Sequence, residues 1–94
     1  MKETLNKWIV KNNVLFKKFN IQTLEMIHNQ DSAYCDFLTS DNIGRIVCWE
    51  EGRLEFEILD IETENQLYFR YFEFKEDKFD ELLLDGFLMN LIKK

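Results

Sequence analysis

Apolar side chains recur along the chain with two different rhythms, which divide it into a helical start, a strand-rich middle and a helical end. Between residues 3 and 19, Leu5, Trp8, Ile9, Leu15, Phe16 and Phe19 keep the spacing of an amphipathic helix, with Asn12 interrupting the stripe. Residues 24–27 and 33–37 are short β-prone runs, and Asn29, Gln30 and Asp31 form the turn between them. After a polar break at residues 40–42, the runs 44–49 and 54–61 flank Glu50, Glu51 and Gly52 and predict a hairpin. A three-residue loop that ends on a left-handed Gly52 pairs Ile46 with Phe56. That register gathers Ile46, Cys48, Leu54, Phe56 and Ile58 on one face for burial. It leaves Arg45, Val47, Trp49, Glu55 and Glu57 on the other. A four-residue loop would instead group Val47 and Trp49 with Leu54 and Phe56 and set Cys48 beside Glu55, a poorer core.

The run 66–74 carries Tyr68, Phe69, Tyr71, Phe72 and Phe74 on both strand faces, which predicts a central or covered strand, with Asn65 as a left-handed residue in the turn before it. A last helix is predicted from an N-cap at Asp77. Asp80 and Glu81 stand in its first turn and Lys93 and Lys94 at its end, charges that complement the helix dipole. Its buried stripe is Phe79, Leu82, Leu83, Phe87 and Leu91, widened by Leu84, Leu88 and Ile92. Gly86 lies on that stripe, where a missing side chain would admit the sheet closely. Together these elements predict one α+β domain over residues 1–94. It has an N-terminal helix, an antiparallel meander of about five strands and a C-terminal helix, with the helices packed on one sheet face.

Composition narrows the function classes. At 46% hydrophobic residues with nine Phe, three Tyr and two Trp, the chain supports a packed core. No apolar run approaches the roughly 20 residues of a membrane-spanning helix. The first ten residues lack the apolar stretch of a secretory signal, so the expected compartment is the cytoplasm. Cys35 and Cys48 sit in apolar, strand-like runs and read as reduced core thiols, although their spacing alone leaves a disulfide open. With a single histidine, His28, and no paired-ligand spacing, neither a metal nor a cofactor is expected. Gly44, Gly52 and Gly86 are isolated from one another, so no phosphate-cradling loop exists and no small-molecule ligand is expected.

Charge changes the picture further. The first twenty residues hold five lysines against Glu3, a balance of +4, so the rest of the chain carries −10 of the total −6. Between residues 50 and 64, Glu50, Glu51, Glu55, Glu57, Asp60, Glu62 and Glu64 face one base, Arg53. Such a surface repels nucleic acid and attracts basic partners. The lysines of the first helix fall opposite its apolar stripe; a core-covering helix accounts for them without a membrane surface. Glu55 and Glu57 share a strand face about 7 Å apart, the arrangement of paired-acid hydrolysis and, more commonly, of a solvated sheet. The acidic run itself reads either as a solubilising surface or as an interface in which Trp49 anchors a partner and the acids steer it.

The segment Gly44-Arg45-Ile46-Val47-Cys48-Trp49-Glu50-Glu51-Gly52, followed by Leu54 through Thr63, resembles the TriTu family of bacterial immunity proteins. The aromatic strand and the Leu-rich last helix agree with that family in length and order. The resemblance implies a non-enzymatic, stoichiometric inhibitor of a cognate toxin domain, an ADP-ribosyltransferase that modifies elongation factor Tu. The charge pattern nominates Arg45, Trp49, Glu50, Glu51, Glu55, Glu57, Asp60 and Glu62 as the partner-binding residues. The rival readings are an adaptor domain for another basic protein, a hydrolase using Glu55 and Glu57, and a homodimer paired through its aromatic surface.

Overall fold

The structure, a computed structural model, describes residues 2–74 and 81–93. The first helical stretch is two helices, α1 (Lys2–Lys11) and α2 (Asn13–Lys18), where the apolar spacing predicts one. The break falls at Asn12, whose backbone departs from helical values (φ −99°, ψ 12°); its N–H still donates to the Trp8 carbonyl at 3.0 Å, and its side-chain amide adds a second bond to the same carbonyl at 2.9 Å. Leu5, Trp8 and Phe16 reach the core, whereas Leu15 and Phe19 are exposed, contrary to the expected stripe. The predicted strand at 24–27 is replaced by two short pieces, β1 (Gln22–Thr23) and β2 (Ile27–His28), which both pair with β3 (Ser32–Leu38). Between the pieces, the Leu24 carbonyl accepts a hydrogen bond from the Cys35 thiol at 3.2 Å.

β4 (Asn42–Trp49), β5 (Arg53–Asp60) and β6 (Gln66–Glu73) continue the meander, and α3 (Glu81–Leu91) closes it. The described residues form a six-stranded antiparallel sheet in the order β1-β3-β4-β5-β6, with β2 also on β3. The α+β class with a helix at either end of a meander is as expected. So is the central hairpin: Ile46 pairs with Phe56, Gly52 has φ 101°, and its N–H donates to the Trp49 carbonyl at 3.0 Å. The polar break before it is shorter than expected, because Asn42 already belongs to β4.

All three helices cover one face. Ala33, Cys35, Phe37, Ile46, Cys48, Leu54, Phe56 and Ile58 line it from the sheet. Trp8 and Phe16 pack edge-on or tilted against Phe37, and Phe87 bridges Phe37 and Phe56 at 5.6 and 5.4 Å between ring centroids. The indole N–H of Trp8 donates to Asp85 at 3.0 Å and ties α1 to α3.

Three further expectations are corrected. β6 lies at the sheet edge instead of at its centre, with Leu67, Phe69 and Tyr71 at 54%, 41% and 43% exposure, so aromatics on both faces did not signify cover on both faces. The left-handed residue of the turn before it is Glu64 (φ 64°), not Asn65. On α3 the buried stripe is Leu84, Phe87, Leu88 and Leu91, while Leu82 is 70% exposed. A Cβ on Gly86 would meet nothing within 4 Å, so it is not the point of close approach. That point is Gly44, where a Cβ would lie 2.7 Å from Phe87 Cζ and 2.9 Å from Leu91 Cδ1. The expected N-cap Asp77, with Phe79 and Asp80, lies outside the described residues, as does Lys94. At the other end of α3 the last turn carries no basic residue. The buried Asn42 amide serves it instead, donating to the carbonyls of Leu91 (3.0 Å) and Lys93 (3.4 Å).

Candidate functional site

Pleating turns every second side chain of β3, β4, β5 and β6 away from the helices, onto a face against which none of the described elements packs. The pairings set these side chains in rows across the strands. One row reads Ser32, Trp49, Arg53 and Glu73; the next reads Ile27, Tyr34, Val47, Glu55 and Tyr71; a third reads Asp36, Arg45, Glu57 and Phe69. The face is therefore half aromatic and aliphatic, half charged.

Its two arginines are already engaged within the chain. Arg45 clasps Asp36 with a fork, Nε to Oδ1 at 2.6 Å and Nη2 to Oδ2 at 2.9 Å, and stacks 4.2 Å from the Tyr34 ring centroid. The Asp36 hydrogen bond, together with the carboxylates of Asp36 and Glu57, raises the guanidinium pKa above its ordinary value. Arg53 lies 4.6 Å from the Trp49 ring centroid and is ion-paired with Glu51. Against these two bases the three rows hold Asp36, Glu55, Glu57 and Glu73, so acids outnumber bases two to one. Glu50 and Glu51 extend the excess around the hairpin end. A shallow hollow bordered by Trp49, Asn29, Asp31, Ser32 and Glu50 opens there.

Of the eight nominated residues, Arg45, Trp49, Glu55 and Glu57 thus share the uncovered face, and Glu50 and Glu51 adjoin it beside Trp49. Trp49 itself is half-buried, with part of its indole under Arg53. Asp60 and Glu62 are at the opposite end, seven residue steps along β5 from Arg53, or about 23 Å at the usual strand rise. Asp60 has a local task there. Its Oδ1 accepts the N–H groups of Glu62 (2.8 Å) and Thr63 (2.9 Å), and these bonds, the Thr63 one foremost, hold its carboxyl below the ordinary value.

One comparison decides what kind of protein carries this face. The family model described as "Immunity protein TriTu" matches residues 3–90. The chain belongs to the TriTu immunity-protein family. No curated protein and no solved structure matches it. The match spans the six strands and nearly all of the first and last helices, so the residues of the uncovered face lie within it.

In this TriTu member Glu55 and Glu57 lie two residues apart along β5, on the face that none of the described elements covers. The depression beside Glu57 is bordered by Asp36, Ile43, Arg45 and Leu59 and leaves out Glu55. Among the described residues no group of three His, Cys, Asp or Glu is placed to hold a metal ion, and no helix is long and apolar enough to cross a membrane. Cys35 and Cys48 are both buried. Burial, with Asp36 assisting, pushes the Cys35 thiol up to about 11, which keeps it protonated and unreactive near neutrality. Residues that sequence reasoning left out are Tyr34, Asp36, Phe69 and Tyr71. For the first two the signal was available, since Tyr34 and Asp36 are out of phase with Ala33, Cys35 and Phe37; on β6, with aromatics in both phases, it was not.

Proposed function

We propose that this protein neutralises a cognate toxin domain by binding it one to one through the uncovered face of the sheet. The toxin is an ADP-ribosyltransferase acting on elongation factor Tu, made by the same cell, and the complex forms in the cytoplasm. Membership of the immunity-protein family over residues 3–90 is the observation that carries the reading. The protein acts as an inhibitor and not as an enzyme, a reading that rests on the same family membership. Trp49 and the aromatic rows give affinity; Glu50, Glu51, Glu55 and Glu57 steer a basic surface of the toxin onto the face. Asp60 and Glu62 contribute only if the footprint spans the whole length of β5. Bound in this way, the protein occludes the toxin's NAD pocket or its substrate-docking surface.

Co-expression with the cognate toxin domain tests the role. Cells survive only when this chain is present, and equal killing with and without it sinks the reading. Trp49→Ala, with the fold checked by circular dichroism, weakens the complex by about 2 kcal/mol or more as a buried aromatic anchor. Unchanged affinity removes Trp49 from the interface.

A further inference from the structure

β6 ends the sheet with an eight-residue edge, and none of the described residues pairs with its outer side. Exposed sheet edges in soluble proteins are ordinarily shortened, charged, bulged or covered, because their unpaired N–H and C=O groups are a template for another strand. Here the register shift lies only at the start of the strand, opposite Ile58 and Leu59, and the rest runs regularly to Glu73.

The ladder fixes which groups are on offer. Phe74 donates to the Gly52 carbonyl at 2.7 Å, and hydrogen-bonded pairs alternate along an antiparallel ladder. The pairs Leu54–Phe72, Phe56–Arg70 and Ile58–Tyr68 therefore exchange the bonds with β5, and Phe69, Tyr71 and Glu73 direct their N–H and C=O groups outward. Arg70 donates from Nη1 to the Phe69 carbonyl at 2.7 Å and caps one of these acceptors with a charge. The same three residues place their side chains on the uncovered acidic face, opposite Glu57, Glu55 and Arg53. Backbone template and partner-facing side chains thus coincide.

We infer that β6 accepts an extended, basic segment of the partner protein as an added strand, extending the sheet and its open face together. This rests on the toxin-binding reading above and specifies how the partner engages. Main-chain bonds to Phe69, Tyr71 and Glu73 give the segment its register. Its alternate side chains lie beside Phe69 and Tyr71, and lysines or arginines at those positions reach the surplus carboxylates of Glu55, Glu57 and Glu73. The excess of acids over bases on the face selects a basic segment over a second copy of this acidic chain.

Residue-resolved amide hydrogen exchange on the full chain, alone and with the purified cognate toxin domain, tests it. The amides of Tyr68, Arg70 and Phe72 are protected in both states. Those of Phe69, Tyr71 and Glu73 exchange fast alone and slow at least tenfold in the complex. If a complex forms while those three amides stay fast, the added strand is wrong and the immunity reading stands. If no complex forms, both fall. Slowing of the same amides in the free protein, growing with its own concentration, would show a second copy on the edge and overturn the proposal. Phe69→Pro removes an outward N–H without breaking a β5 bond and lowers toxin affinity at least tenfold; the exchange measurement on the unaltered chain decides the matter even if that variant misfolds.

Discussion

At Gly44 the absence of a side chain is what lets α3 settle onto β4. A methyl group there would lie inside contact distance of Phe87 and Leu91, two buried side chains that themselves fill the core between the helix and the sheet. Gly44→Ala therefore destabilises the fold by about 1–3 kcal/mol, read as a lower urea midpoint, whereas Gly86→Ala, which meets open space on a helix, is neutral or stabilising by up to about 1 kcal/mol. Sequence pattern pointed to the wrong glycine of the two, because it shows that a helix has a small residue on its apolar stripe but not which strand crosses beneath. Gly52 was legible for the opposite reason. A positive φ is a local demand of a short hairpin, and the residues on either side of the loop reveal its length. Glu64 escaped notice because the turn before β6 is held by Asp60, whose side chain gathers the N–H groups of Glu62 and Thr63 and makes a left-handed glutamate tolerable.

Among the elements, the hairpin and its burial pattern could be read from alternation alone, and the expected register is the observed one. The first helix could be read only in part: the stripe is interrupted at Asn12, but alternation does not report that the backbone leaves helical values there and resumes as a second short helix. β6 misled for a physical reason: this edge strand, with Phe69 and Tyr71 exposed, is as aromatic as a buried one, and periodicity does not report which strands flank a segment. The link between α1 and α3 likewise spans a sequence separation no local pattern reports. Trp8 donates into Asp85, a bond from a buried indole to a carboxylate. Asp85→Ala leaves that N–H without its acceptor and costs about 1–3 kcal/mol in urea unfolding. Adding Trp8→Leu to Asp85→Ala costs less than the two single losses combined, which a double-mutant cycle measures. A cycle that closes additively would show that the bond contributes nothing.

For the molecule as a whole, charge and architecture divide the labour. The basic residues of the first twenty positions and the acids beyond them were visible in the sequence; that the helices gather on one side and leave the acidic rows uncovered became visible only with the topology. A partner drawn to those rows is drawn through solvent, so raising the ionic strength from about 0.05 to 0.5 M slows association with the toxin domain by tenfold or more. Dissociation, governed by the aromatic contacts, changes far less. Stopped-flow mixing at several salt concentrations checks this, and an association rate indifferent to salt would leave the acids without a steering role.

The pleat also bears on how such a protein could change over generations. Ala33, Cys35, Phe37, Ile46, Cys48, Leu54, Phe56 and Ile58 carry the fold, and their immediate neighbours in the chain carry none of the core. Mutations that fall on the intervening positions leave the packed interior as it is, so the lineage can retune what it recognises at every second codon of three strands while inheriting its stability from the codons between.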